Sequence, residues 1–451
     1  MSENLIELTA TEAAGMIARG EISSEEYTRA LIAQVGSIEG KVQAFEHFDP
    51  EHALEQAKAR DEYRAHGNAL GSLHGVPVGI KDCIDTSDYP TENGSKLFAD
   101  RRPFRDAAVV AKLREAGAVI FGKTVTTEFA FYHPGKTRNP HDLERTPGGS
   151  SSGSAAAVAA GMVPLSIGTQ TNGSIIRPAS YCGVFGMKAS HGLVSRTGVL
   201  SHSQALDHVG PFARSLDDIA LALDTIAGYD PEDPDTKSYA VPSFLSGLRE
   251  NPPMTPRLAY VRTPVWNKAE KSTAEAFEEL ADSLGEIVQR VELHEPVYGH
   301  AWDDLRAIMT VDMAHRHGKI VGRGGDVPSQ TLKDFIAEGR RVPAVRYLEA
   351  LSQAKQYGRS LSDFFDYYDA ILTPASTGVA PKGLESTGDP AFCSLWTLTG
   401  LPAISLPLLQ GENGLPLGVQ LVGPIGRDAR LLRTAKWLLK HLSHDQEVEI
   451  A

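Results

Sequence analysis

The sequence predicts an α/β fold: a single large domain whose central β-sheet is covered by helices on both faces. Three observations carry this. Short apolar runs lie at both ends of the chain: VPVGI (76–80), AVIFG (118–122), VPLSIG (163–168), AILTPA (370–375), PAISLP (402–407) and LGVQLVG (417–423). They lack the polar alternation of a half-exposed strand, so they suit strands buried on two faces. Helical patterns alternate with them, as in DAAVVAKLREAG immediately before AVIFG. The runs are alike in character at both ends, and no internal repeat or low-complexity tract divides them. The 451 residues therefore read as one domain, 1–451.

Residues 1–65 read as helices. Thr9 with Glu12, and Ser23 with Glu26, have the spacing at which each side chain satisfies the other residue's free backbone N–H. After Ser23, Tyr27, Ala30, Leu31, Gln34 and Val35 fall on one helical face. Residues 68–228 are punctuated by Gly and Pro and hold the candidate catalytic core. There Ser215 starts a helix whose stripe is Leu216, Ile219, Ala220, Leu223 and Ile226, and Gly228 stops it. Residues 229–256 are a polar, Pro-rich connection. RLAYVR (257–262) reads as a strand and 271–284 as an amphipathic helix. The stretch 229–370 is the less regular, substrate-specificity segment, where Trp266, Trp302, His315, His317 and Tyr347 are pocket or core candidates. Residues 371–451 return to the sheet.

Lys and Arg number 44 against 57 Asp and Glu, a formal net charge of −13. An acidic chain repels phosphate backbones, so nucleic acid is not expected as a partner. No run reaches the roughly 18 uninterrupted apolar residues of a membrane span, so no membrane partner is expected either. The start, MSENLIELTATEAAG, lacks a basic stretch followed by an apolar one, which predicts a cytoplasmic protein. Cys83, Cys182 and Cys393 are scattered and odd in number, against a disulfide framework or a Cys-ligated metal.

Three motifs invite a function and fail on context. Gly117–Thr124 fits G-x-x-x-x-G-K-S/T, but its middle residues Ala-Val-Ile-Phe suit a strand, and the helix precedes them instead of following. Gly149–Gly153 fits the serine elbow G-x-S-x-G around Ser151, which requires a buried strand just upstream. The polar HDLERTPG stands there, with His202 and His208 as the nearest candidate bases. His315 and His317, two apart, face different sides of a helix and make no metal site.

A fourth constellation survives. Lys81 follows VPVGI, at the end of a buried strand, where desolvation favours a neutral amine that can act as a base. Residues 147–174, PGGSSSGSAAAVAAGMVPLSIGTQTNGS, combine a Gly/Ser loop, a small-residue helix, a strand and a second loop carrying a serine. A serine is a weak nucleophile and needs a base, directly or through a relay. Together GVPVGIKD, Gly148–Ala160 and Gly168–Ala179 resemble the amidase signature family, with 24 residues from Ser150 to Ser174. FGKTVTTEFA (121–130), RNPHD (138–142), CGVFGMK (182–188), GPFARS (210–215), LTPAS (372–376) and LPLGVQLVG (415–423) look like further landmarks, so the resemblance covers about residues 5–440.

The resemblance implies a single-domain α/β fold with a mixed central sheet and an amidohydrolase with a Ser–Ser–Lys triad. Ser174 is then the nucleophile, Ser150 the bridging serine on a cis peptide bond, and Lys81 the terminal base. Backbone N–H groups of Thr171, Asn172, Gly173 and Ser174 face the oxyanion. The substrate is a small or medium amide, carboxylate-bearing amides included. No metal or organic cofactor is required, and a homodimer is one assembly found among relatives. An A-type subunit of a tRNA-dependent amidotransferase complex is the alternative. A non-catalytic binding protein on this fold is a remoter one, disfavoured by the intact Lys81, Ser150 and Ser174.

The loop departs from the family's usual T-D-T-G-G-S-I-R. Gln170 replaces the aspartate, Asn172 a glycine and Ile176 the arginine, and an arginine appears one place later as Arg177. Val125 stands where the family often has Asn. The departure counts against the amidotransferase reading. Losing both charges together strands neither. Arg177 is then a candidate for binding a substrate carboxylate in the cleft; the competing reading pairs it with a protein carboxylate or with loop carbonyls.

Overall fold

Each apolar run singled out in the sequence forms a strand. A computed structural model describes residues 5–448. Among them eleven strands form one sheet: β1 (Phe45–His47), β2 (Pro77–Lys81), β3 (Val119–Thr124), β4 (Leu165–Gln170), β5 (Phe185–Lys188), β6 (His208–Ala213), β7 (Leu258–Arg262), β8 (Val288–Glu292), β9 (Ala370–Pro374), β10 (Ala403–Gln410) and β11 (Pro416–Val422). Their order is β1-β3-β2-β4-β6-β5-β10-β11-β9-β7-β8. Strand β2 runs parallel to β3 and β4, and β7 runs parallel to β8 and β9; the remaining pairs are antiparallel, so the sheet is mixed.

The helices are α1 (Ala10–Arg19), α2 (Ser24–Val42), α3 (Pro50–Ala65), α4 (Ala108–Glu115), α5 (Ser152–Ala159), α6 (Ile176–Cys182), α7 (Leu216–Ile226), α8 (Phe244–Arg249), α9 (Lys271–Leu284), α10 (Glu295–Tyr298), α11 (Ala301–Arg323), α12 (Gln330–Gly339), α13 (Ala344–Phe364), α14 (Ala391–Leu398) and α15 (Asp428–Val448). Both expected capping boxes form, Thr9 with Glu12 and Ser23 with Glu26. Ser215 caps α7 by accepting from Asp218 N.

The two faces of the sheet carry separate cores. On β7, Leu258 and Tyr260 join one apolar cluster, Ala259 and Val261 the other. On β9, Ala370 and Leu372 divide from Ile371 in the same way, as the twofold alternation of a strand requires. The first cluster takes side chains from α1, α2, α7 and α15, the second from α11, α12, α13 and α14. Helices therefore cover both faces.

The helices α11, α12 and α13 and the strands β1, β5, β6 and β8 are not among the elements the sequence predicts. Strand β8 has no apolar run because it is an edge strand: Gln289, Arg290 and Glu292 are exposed. Strand β6, HVGPFA, is broken by Gly and Pro. Gly210 is there because a Cβ would stand 2.0 Å from the Met187 carbonyl oxygen.

Gly153 shows how tightly α5 is seated. Its N–H donates to Val125 O at 3.0 Å. A Cβ at 153 would lie 2.2 Å from Ala44 O and 2.3 Å from Val125 N, both backbone atoms with nowhere to go. Gly153→Ala should therefore destabilise the protein by about 3 kcal/mol, read as a lower denaturant midpoint or loss of soluble protein. An unchanged midpoint would show that α5 can shift outward.

Candidate active site

The chemistry gathers where β2 and β4 end. The two strands are parallel neighbours, so Lys81 closing β2 and the loop following Gln170 of β4 emerge at the same edge of the sheet. Ligand sites in open parallel sheets form at such carboxyl ends. The Gly/Ser loop before α5 brings Ser150 over this edge.

Lys81 Nζ lies 2.7 Å from Ser150 Oγ and 2.7 Å from Thr169 Oγ1. Its side chain is wholly buried. Burial pulls its pKa down from the usual lysine value to about 8; Cys83 and Asp207 nearby oppose the shift without cancelling it. A neutral amine has two N–H donors and one lone pair. With one N–H given to Thr169, the lone pair is free to accept the Ser150 hydroxyl proton. Thr169 is thus a site residue that the sequence reading did not name, although a polar residue inside GTQTNGS at a buried strand end was a usable signal.

The Gly149–Ser150 peptide bond is cis. Ser174 is half-buried at the end of the 171–174 loop, one residue before the cap of α6. The structure joins Lys81 to Ser150. Among the described residues, Ser174 Oγ has no hydrogen-bond partner, so the second link to Ser150 is not formed in this conformation.

The 171–174 loop has its donors free. Among the described residues, none of the N–H groups of Thr171, Asn172, Gly173 and Ser174 is given to a protein acceptor. The next two are taken: Ile175 N and Ile176 N donate to Gln170 Oε1 at 2.8 and 3.0 Å. Asn172 is held by its side chain, which accepts from Ser394 Oγ at 2.7 Å and donates to Tyr132 Oη at 3.2 Å. Thr171 Oγ1 donates to Asp207 at 2.7 Å, and Asp207 also accepts from His202 N and Ser203 N. Tyr132, Asp207 and Ser394 carry no local sequence signal, because they reach the loop from distant segments.

Arg177 is 1% exposed. Its Nη2 donates to Gly149 O at 2.6 Å and to Thr387 Oγ1 at 3.1 Å, and its Nε donates to Thr387 O at 2.7 Å. Only Nη1, itself buried, has no partner. The guanidinium therefore ties the start of α6 to the carbonyl preceding Ser150.

The rejected motifs are all structural. Residues 119–124 are β3, and Lys123 lies 3.4 Å from Asp82 in the interior. Ser151 Oγ donates to Thr169 O at 3.1 Å. His202 is buried, with Nε2 against Phe129 O, and burial pulls its pKa down to about 4. His208 is buried with Nδ1 2.7 Å from Leu206 O. His317 packs edge-on against His202 with centroids 5.5 Å apart. Trp302 donates to Ala391 O and Tyr347 to Asp312, so both are anchored by their polar tips. A cleft of about 930 Å³ lies elsewhere, between α11, α12 and α13. No helix among the described residues is long and apolar enough to cross a membrane.

Residues 26–432 match the family model Amidase. The chain is 36% identical to the A-type subunit of the glutamyl-tRNA(Gln) amidotransferase of Moorella thermoacetica, over 95% of each chain. Further curated relatives carry the same name. Among solved structures it resembles a vestigial protein complex bearing on the origins of an s-triazine catabolic enzyme, at 30% identity and TM-score 0.89, over 96% of this chain and 98% of that one. It also resembles the peptide amidase of Stenotrophomonas maltophilia, at 28% identity and TM-score 0.82, over 95% and 96%. The expectation of no nucleic-acid partner is corrected by these relatives, which are named as subunits of a tRNA amidotransferase. Net charge sums one chain's whole surface and does not describe an assembly or the face that meets a partner.

A reaction that uses neutral Lys81 as its base needs the deprotonated form. Its kcat/KM should rise with pH through about 8 and level off above. Lys81→Met should remove that limb and lower kcat/KM by about 10²- to 10⁴-fold. A limb that survives the substitution belongs to another group.

Proposed function

The chain belongs to the amidase family, and on that footing we propose that it cleaves a carboxamide through an acyl-enzyme on Ser174, with Ser150 as proton relay and Lys81 as base. The observation that carries this is the buried Lys81 Nζ, 2.7 Å from Ser150 Oγ with its pKa lowered to about 8. Lys81 accepts the Ser150 proton, Ser150 accepts that of Ser174, and Ser174 Oγ bonds to the amide carbonyl carbon. The carbonyl oxygen takes the charge and meets the free N–H groups of 171–174. Ser150 returns a proton to the departing nitrogen, ammonia or an amine leaves, and water repeats the cycle on the ester.

The relatives support a narrower reading, in which the chain is the amide-cleaving member of an amidotransferase-type assembly and works with partner proteins on a charged tRNA. A second reading, a free-standing amidohydrolase of small or medium amides, draws support from Gln170, Ile176 and Arg177 in place of the usual loop. The solved peptide amidase and 6-aminohexanoate cyclic dimer hydrolase, both of this shape, support it too.

Ammonia release separates the two. The chain alone, and the chain co-purified from its native cells, would be given glutamine, asparagine and a panel of carboxylated, aliphatic and aromatic amides, with and without ATP and tRNA. The amidotransferase reading expects glutamine cleavage that strengthens at least tenfold in the co-purified form. Efficient cleavage of simple amides by the isolated chain, indifferent to ATP and tRNA, would establish the second reading. Ser174→Ala should abolish either activity, and full activity in that variant would remove the acyl-enzyme proposal.

A further inference from the structure

The 171–174 loop is held by an uncharged clamp reaching it from 222 or more residues downstream. Gln170 donates from Nε2 to Thr397 Oγ1 at 2.9 Å, and Thr397 Oγ1 donates to the Asn172 carbonyl oxygen at 2.5 Å. Gln170 Oε1 accepts the N–H groups of Ile175 and Ile176. Both side chains are buried, Gln170 1% exposed and Thr397 not at all. One hydroxyl thus spends its single proton on the loop and receives one in return. A carboxamide supplies both the acceptor and the donor here without ionising.

The direction of these bonds has a geometric consequence. A peptide unit is planar and trans, so its C=O and the following N–H point to opposite sides. Drawing the Asn172 carbonyl toward Thr397, on α14, turns the Gly173 N–H away from α14. That N–H is one of the four without a protein acceptor. The Asn172 side chain is tied to the same helix through Ser394. The loop cannot rotate about residue 172 without breaking buried hydrogen bonds on both sides of it, at about 1–3 kcal/mol for each group left unsatisfied.

We propose that Thr397, with Gln170, is a positioning residue for the reaction: its hydroxyl pins the Asn172 carbonyl and so aims the Gly173 N–H at the developing oxyanion. This rests on the acyl-enzyme reading of Ser174. Thr397 touches neither substrate nor the reacting atoms. The clamp also explains why Gln170 stands without the aspartate and arginine of the usual loop. It closes the loop with groups that do not titrate, so it adds no pH limb of its own.

Labelling by a fluorophosphonate tests this without knowledge of the substrate. Ser174 Oγ displaces fluoride at phosphorus, the phosphoryl oxygen needs the same N–H donors, and intact-mass spectrometry follows the adduct. Thr397→Val fills the same space without the hydroxyl and should lower the maximal labelling rate by about 10- to 100-fold, with the half-saturating concentration within about twofold of wild type. Thr397→Ser should recover to within about threefold. Thr397→Cys, a weaker donor, should fall between and serves alone if the valine variant does not fold. The labelling limb near pH 8 should not move in any of them. Wild-type labelling by Thr397→Val, equal losses in valine and serine variants, or a loss confined to half-saturation would overturn the clamp. Undiminished labelling of Ser174→Ala would instead overturn the nucleophile assignment, and the clamp's purpose with it.

Discussion

Desolvation of one amine organises this site. Lys81 closes a strand flanked on both sides by parallel neighbours, and its whole side chain is shut away from water. Burial disfavours the ammonium form, and the two hydroxyls of Ser150 and Thr169 give a neutral amine its hydrogen bonds. The nearest buried carboxylate on the same segment, Asp82, is turned instead to Lys123. A salt bridge to Lys81 would favour its ammonium form and, in the proposed mechanism, deprive the reaction of its base. The two buried lysines are thus partitioned, Lys123 paired with a carboxylate and Lys81 with two hydroxyls.

The surrounding structure serves to hold two loops against that amine. The Ser150 loop is seated by α5, whose Gly153 touches the backbone after β3, and by Arg177 from the start of α6, which binds the Gly149 carbonyl. The 171–174 loop is fixed on one flank by Thr171 on Asp207 and on the other by Asn172 on Tyr132 and α14. Every brace ends on a side chain or carbonyl and leaves the loop's own N–H groups free. An anion-stabilising site needs that pattern, since its donors cost nothing to reorganise when charge develops.

Much of this was legible in the sequence. The seven apolar runs form strands, the caps at Thr9, Ser23 and Ser215 form, and Lys81 lies beside Ser150, a pair the family resemblance implies. What local patterns could not give was contact at long separation. Thr397, Ser394, Tyr132 and Asp207 carry no signature in their own segments, because their meaning lies in the loop they touch. Edge strand β8 lacks the apolar run that marks a buried strand, and the stripe of α11 is interrupted by Asp304, Thr310 and His317, buried among its apolar positions. The expectation about nucleic acid failed for a different reason: net charge is a property of the whole chain, whereas partners are chosen by surfaces.

The central claim, that burial lowers the Lys81 amine far enough to lose its proton near pH 8, can be measured directly. Lysine labelled with ¹³C at Cε, assigned by comparison with Lys81→Met, gives its titration by NMR. A midpoint near 8 is the predicted result. A Lys81 resonance that stays in the ammonium form beyond about pH 10, like an ordinary surface lysine, would contradict the account.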